Sequence, residues 1–195
     1  MRTPAVILAC GLIVSVGASP AAAQRRHGPV PDAGMVGIGG SVGLSVPTDD
    51  RVDVGLSVAG NIEGYLTPRV SIRGQVGGTW QDLKAGQPFS GTIKPLWLDG
   101  NIVYNWEGGK WHPYVTGGVG MYRYAYEESS SHGTFNGSNT AFGLNVGGGI
   151  EYFFTLRATV TGEVLYHHVG EIVTALVPFG NPSFGTFSVG VKKYF

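Results

Sequence analysis

The chain has 195 residues, of which 33 are glycine, while Asp, Glu, Lys and Arg together make up only 13%. Ordinary proteins carry about 7% glycine and about 25% charged residues, so this chain has too little charge to cover the surface of a soluble domain of its size. Glycine without a three-residue period and only 11 prolines exclude collagen, and 43% hydrophobic with 11% aromatic residues argues against disorder.

Residues 1–23 read as a secretory signal. Arg2 is the positive n-region, Ala5 to Gly17 is an apolar run, and Ala21-Ala22-Ala23 is a small-residue cleavage site. That run is too short to span a bilayer as a helix. The sole cysteine, Cys10, lies inside it, with only Ala5 to Ala9 as apolar residues before it and bulky Leu8 nearby, which argues against lipidation. A chain starting at Gln24 has no cysteine, so an exported domain must hold together without disulfides. Its basic and acidic residues nearly balance, and nothing suggests nucleic-acid binding. Residues 24–34, with Arg25, Arg26, Pro29 and Pro31, read as a short irregular leader, and residues 35–195 as one folded domain.

From residue 36 onward the hydrophobic period is two, the signature of strands. Val36, Ile38, Val42, Leu44 and Val46 share one parity, against Gly37, Gly39, Ser41, Gly43 and Ser45. Leu56, Val58, Ile62 and Leu66 form the second run, and Val70, Ile72, Val76 and Trp80 the third, the latter opposite Ser71, Arg73, Gln75 and Thr79. Leu96, Leu98, Ile102, Tyr104 and Trp106 form the fourth, alternating with Asp99, Asn101 and Asn105. The fifth, Tyr114 to Tyr126, is less clean, with Val115, Val119 and Met121 opposed by Tyr114, Thr116 and Tyr122. Phe142, Leu144, Val146, Ile150 and Tyr152 make the sixth, Val160, Val164 and Tyr166 the seventh, and Phe187, Val189, Val191 and Phe195 the eighth. Eight strands of about ten residues suit a tilted crossing of a bilayer.

The connections alternate in length. Thr48 to Asp53, Gln81 to Lys94, Glu127 to Thr140 and Val169 to Pro182 are long and polar; Thr67-Pro68-Arg69, Glu107 to Lys110 and Thr155-Leu156-Arg157 are short. Long loops at one end and tight turns at the other are the pattern of transmembrane barrels. A soluble barrel also alternates, but its outer face is rich in Lys and Glu. Here the polar parity is mostly Gly, Ser, Thr and Asn with isolated charges, which suits a crowded interior. The expected fold is therefore all-β: an eight-stranded antiparallel up-and-down transmembrane β-barrel with its apolar face toward lipid.

Two hairpins match at an offset of 88 residues: Glu63 to Val76 against Glu151 to Val164, with Glu, Thr, Arg, Gly and Val identical at five positions. Leu66 and Val70 share the outward parity, which requires an odd loop. A three-residue Thr67 to Arg69 turn then sets Glu63 directly across from Arg73. Inside a barrel an unpaired charge is costly. An interior charge network of Glu63, Arg73, Asp99, Glu151, Glu163 and Lys192 is predicted, with a lumen that side chains fill.

The chain ends Phe187-Ser-Val189-Gly-Val191-Lys-Lys-Tyr194-Phe195. A terminal Phe with apolar residues at every second position before it resembles the C-terminal assembly signal of outer-membrane barrels. That resemblance rests on Phe187, Val189, Val191, Tyr194 and Phe195; Lys193 departs from it, near an interface where it can snorkel. With the signal peptide and the Leu-Thr-Pro-Arg turn, the chain resembles the small outer-membrane β-barrel family of the OmpA-barrel or OmpX type, as a single barrel without a periplasmic domain. The resemblance implies a bacterial outer-membrane location, with the N-terminus and short turns periplasmic and the long loops extracellular. It also implies lipid, lipopolysaccharide and the barrel-assembly machinery as partners, and a monomer.

Barrels resembling the lipid A deacylase carry a His-x-Ser motif. Here His167-His168-Val169-Gly170 has no serine in the required place, and no Ser-His-acid set has supportive spacing. No catalytic residue, cofactor or metal ligand set is assigned; Asp49, Asp50 and Asp53 form an acidic loop that reads as solvated. Trp80, Trp106 and Trp111 suit interfacial belts, while Trp97 falls on the inward parity. The expected function is non-enzymatic, structural or surface-interacting. The alternative is a narrow conduit for small or hydrophobic solutes, similar to the OmpW type.

Overall fold

The computed structural model describes residues 31–84, 90–106, 109–130, 133–170 and 182–195. The expected signal peptide, most of the leader, and the centres of the third- and seventh-strand loops lie outside them. Eight strands follow one another: β1 (Val36–Pro47), β2 (Gly55–Tyr65), β3 (Val70–Asp82), β4 (Ser90–Asn105), β5 (Trp111–Ser130), β6 (Gly133–Thr155), β7 (Ala158–Val169) and β8 (Phe184–Tyr194). Each pairs antiparallel with the next, and β8 returns to β1, so the sheet closes into a barrel. The closing seam runs from Gly37 opposite Tyr194 to Pro47 opposite Phe184. At its end Val36 and Phe195 exchange backbone hydrogen bonds of 3.3 and 2.9 Å.

Side-chain parity sorts the residues as the alternation requires. Val42, Ile102, Val119, Phe142 and Val191 stand on the outer face, while Glu63, Trp97, Val103 and Tyr122 point inward with at most 1% of their surface exposed. The barrel is inside-out because lipid, not water, covers its outer wall. Trp106 lies edge-on to Tyr104, with ring centroids 5.1 Å apart, and Trp111 packs on Tyr152 at 4.6 Å. Both pairs sit at the turn end, where amphipathic rings favour the bilayer interface.

The two matching hairpins share a register. Glu63 lies opposite Arg73, as the odd turn requires, and Glu151 lies opposite Thr161, the equivalent position 88 residues on. Their common threonine performs the same task in both turns. The Thr67 hydroxyl accepts the Arg69 and Val70 N–H groups at 3.2 and 2.9 Å, and the Thr155 hydroxyl accepts that of Arg157 at 3.2 Å. Such side-chain acceptors stabilise a tight turn.

One expectation is corrected. Of the expected loop Glu127 to Thr140, the described residues 127–130 and 133–140 are strand: β5 and β6 stay in register from Tyr124 opposite Asn139 to Ser130 opposite Gly133. Beyond the bilayer both faces of a hairpin meet water, so the apolar alternation that marks a strand in lipid is not needed there. Polar, small residues then read as a loop although the backbone ladder continues. At about 3.4 Å per residue, the 20 residues of β5 reach well past a hydrocarbon core.

Part of the glycine excess follows from the narrow lumen. A Cβ on inward-facing Gly77 would lie 2.3 Å from Trp97 Cζ2, and one on Gly149 would lie 2.5 Å from the Tyr114 hydroxyl oxygen. These aromatic rings lie directly over backbone. Gly77→Ala is therefore expected to destabilise the barrel by about 1–3 kcal/mol through overpacking. Gly100→Ala, on the outer face with nothing within 4 Å of the new carbon, is expected to stay within about 0.5 kcal/mol of the parent. Urea titration of barrels folded into lipid vesicles, followed by tryptophan fluorescence, measures both.

Candidate functional site: the barrel interior

The interior has three levels. The first lies toward the turn end and is ionic. Glu63 on β2 is its centre: Oε2 accepts from Arg73 Nε at 3.0 Å and from Lys192 Nζ at 2.5 Å, and Oε1 accepts from the Ser71 hydroxyl. Arg73 on β3 also donates to Glu163 on β7, whose Oε2 takes the Tyr114 hydroxyl at 2.8 Å. Lys192 on β8 also donates to Glu151 on β6, which accepts from Tyr194. The Arg73 guanidinium lies 5.0 Å from the centre of the Tyr114 ring. Side chains from six strands thus meet across the lumen, each cation serving two carboxylates. Below them Tyr65, Phe153 and Tyr194 cluster with Met35, and Phe153 stacks on Tyr194 at 5.5 Å.

Five of the six predicted charges meet in this network. Asp99 does not. It faces inward and is buried, but its register partner on β3 is Gln75, while Arg73 lies opposite Asn101 and reaches away toward Glu63 and Glu163. Asp99 Oδ1 accepts from Asn101 Nδ2 at 2.6 Å, and it makes no ion pair among the described residues. Asp99 marks the second, polar level, with Asn61, Gln75, Asn101, Thr116 and Asn145, all inward-facing.

The third level, toward the loop end, is aromatic. His167 stacks on Phe184 with centroids 4.5 Å apart, and Trp97 lies 5.7 Å from Phe184 and 5.4 Å from His167. The Tyr122 hydroxyl meets His167 Nδ1 at 3.0 Å, and the Tyr124 hydroxyl donates to the Pro182 carbonyl at 2.6 Å. Val52, Ile93 and Val169 fill the space around them.

The remaining candidates fall elsewhere. In the C-terminal strand Phe187, Val189, Val191 and Phe195 face outward, with Lys193 Nζ 5.1 Å from the Phe195 ring centre. Tyr194 belongs to the opposite face: it is buried and bound to Glu151, because it shares the parity of Lys192. In the sequence Ser71 and Tyr114 lie on the parity opposite the apolar runs, which leaves their acidic partners on other strands unidentified, and Tyr194 is grouped with the C-terminal hydrophobic row. At the loop end, Arg51 grips Asp49 through Nε at 2.9 Å and Nη2 at 2.6 Å and holds its carboxyl below the usual carboxylate range. His168 faces outward, its Nδ1 3.3 Å from the Ser183 hydroxyl.

A closed eight-stranded barrel with a lipid-facing apolar wall, interfacial aromatic rings and a paired ionic interior is a transmembrane β-barrel. The chain belongs to the outer membrane protein β-barrel domain family, whose pattern matches residues 7–195. Comparison with curated proteins found no match. Among solved structures it is similar to the outer membrane protein OprG from Pseudomonas aeruginosa (16% identity, TM-score 0.63, covering 86% of this chain and 98% of that one). It is also similar to a major outer membrane protein from Thermus thermophilus (13%, 0.63, 84% and 100%). A third is Ail, the attachment invasion locus protein of Yersinia pestis (14%, 0.59, 84% and 99%). At these identities the likeness is one of fold.

The charge arrangement sets an order for substitutions. Lys192→Met leaves Glu63 and Glu151 without their shared cation and is expected to cost about 3–5 kcal/mol. Glu63→Gln leaves two cations facing two carboxylates, one each, and is expected to cost only about 1–3 kcal/mol, for lost hydrogen bonds. The same urea titration ranks them, and a smaller loss for Lys192→Met than for Glu63→Gln would refute the pairing.

Proposed function

We propose that this outer-membrane barrel is a non-enzymatic structural or surface-interaction protein that presents its loops outside the cell and does not conduct. The observation that carries this reading is the closure of the lumen at two levels. Tyr65, Phe153 and Tyr194 fill it at the turn end, and Trp97, Tyr122, His167 and Phe184 fill it at the loop end. The charges between them are tied to one another rather than lining a path. The termini and short turns lie on the periplasmic side, and β4 to β6 project toward lipopolysaccharide and external partners. The outward row Phe187, Val189, Val191 and Phe195 is the surface that the assembly machinery reads, and the barrel is a monomer.

The non-enzymatic reading has support at its nearest challenge. The Ser183 hydroxyl beside His168 is buried, with the residue 1% exposed, and it takes the Val169 N–H at 3.3 Å. That is a packing role rather than that of a nucleophile open to substrate.

A narrow conduit is the competing reading, favoured by the polar second level. Conductance in planar bilayers decides between them. The parent barrel is expected to be silent at all voltages, and the double variant Trp97→Ala, Phe184→Ala, which removes two large rings from the loop-end level, to show brief openings. Steady conductance in the parent would overturn the closed-barrel reading.

A further inference from the structure

We infer that the polar level of the interior is a binding site for a hard metal cation, built by β3 to β6 with Asp99 as its charged ligand. This site stands independently of whether the barrel conducts.

Charge gives the first argument. Among the described residues the interior holds four carboxylates, Glu63, Asp99, Glu151 and Glu163, against two cations, Arg73 and Lys192. Both cations are committed to the three glutamates. Asp99 is left buried, 4% exposed, with no positive neighbour in hydrogen-bond reach. An ionised carboxylate in a wall surrounded by lipid is strongly unfavourable without a counter-charge.

The second argument is an excess of oxygen. Asp99 Oδ2, Asn101 Oδ1, Gln75 Oε1 and Thr116 Oγ1 are all buried and have no hydrogen-bond partner in the protein, while on Asn145 both the amide oxygen and the amide nitrogen are left over. Each belongs to a residue no more than 5% exposed. The Asn101 amide is oriented by its bond to Asp99, so its oxygen is the atom that is left over. Buried polar atoms are nearly always satisfied, and the acceptors of Asp99, Asn101 and Gln75, neighbours by register, call for a shared positive partner.

The third is space. On β5 the inward positions beside Asp99 and Asn101 are Gly120 and Gly118. A Cβ on Gly118 would lie 2.2 Å from Asn101 Oδ1, and one on Gly120 would lie 2.8 Å from Asp99 Cβ. Both side chains lie over bare backbone, and Asn145 stands opposite Gly118 on the next strand. Register joins Gln75 to Asp99 and Arg73 to Asn101, so Arg73 bounds the site on its turn side. Carboxylate, amide and hydroxyl oxygens without nitrogen or sulfur suit sodium or calcium rather than a transition metal.

The test uses the folded full-length mature barrel in detergent, melted in sodium, calcium or choline chloride at equal ionic strength. Sodium or calcium is expected to raise the parent's Tm above that in choline, and whichever does so is the ion held. Asp99→Asn should melt at one temperature in all three salts. Asn101→Ala, which removes the amide oxygen while keeping the Asp99 carboxylate, should also lose the ion-specific shift. Equal Tm values for the parent in all three salts would overturn the site, as would a full shift surviving in Asp99→Asn. An infrared band of a protonated carboxyl, present in the parent and lost in Asp99→Asn, would overturn it too, by showing a proton in the cation's place. Folding of each variant is read from its heat-dependent gel mobility. Should Asp99→Asn fail to fold, Gln75→Leu carries the comparison, with a reduced shift expected and an unchanged one counting against the site.

Discussion

Hydrocarbon offers backbone N–H and C=O groups no partner, so a sheet that crosses a bilayer must close on itself. The seam between β1 and β8 is where this chain meets that demand, in unbroken register from Gly37 and Tyr194 to Pro47 and Phe184. Closure at eight strands then dictates the rest. It leaves a cylinder narrow enough for side chains to fill, places every second residue against lipid, and brings polar groups from opposite walls within reach of one another. The scarcity of charge has its cause here: most of the surface faces lipid, and the charges inside must find partners.

Those partners are shared rather than matched one to one. Arg73 spans Glu63 and Glu163, and Lys192 spans Glu63 and Glu151, so Glu63 joins two cations and links β2 to β3 and β8 directly. Hydroxyls from Ser71, Tyr114 and Tyr194 take up remaining acceptor capacity. A buried pair of opposite charges is weak evidence for net stability. A network with six strands as contributors has a different consequence: it opposes slippage, because a one-residue shift of any of them would turn its charge, or on β5 the Tyr114 hydroxyl, toward lipid.

Legibility from sequence followed the distance over which each feature is encoded. Parity is a nearest-neighbour property, and it located the outer wall, the inward Trp97 and the strand count. The Glu63 and Arg73 pairing was equally readable, because one odd turn fixes it. The contacts of Lys192 with Glu151 and of Arg73 with Glu163 were not, since they depend on strand tilt and on which residues face each other across the lumen. For the same reason the sequence alone groups Asp99 with charges it does not meet: parity puts it inward, but its level along the axis depends on a register set through β3. The chemistry of Tyr194 suits the C-terminal hydrophobic row, although its parity sets it with Lys192 on the inner face. The long β5 and β6 hairpin escaped because a ladder standing in water needs no apolar stripe.

That hairpin makes the loop end asymmetric. β1, β2 and β8 are 11 or 12 residues long, while β4, β5 and β6 have 16, 20 and 23. At the turn end the strands finish close to one another, tied by the seam and by short turns, so the extra length of β4 to β6 must emerge on the loop side as a wall over one part of the rim. Below such a wall Trp97, Tyr122, His167 and Phe184 pack into the lumen, so the projecting strands rise from a filled section of the barrel. Rigid scaffolds with variable projections are where contact functions are carried, and in this chain the projection is continuous with the same strands that enclose Asp99.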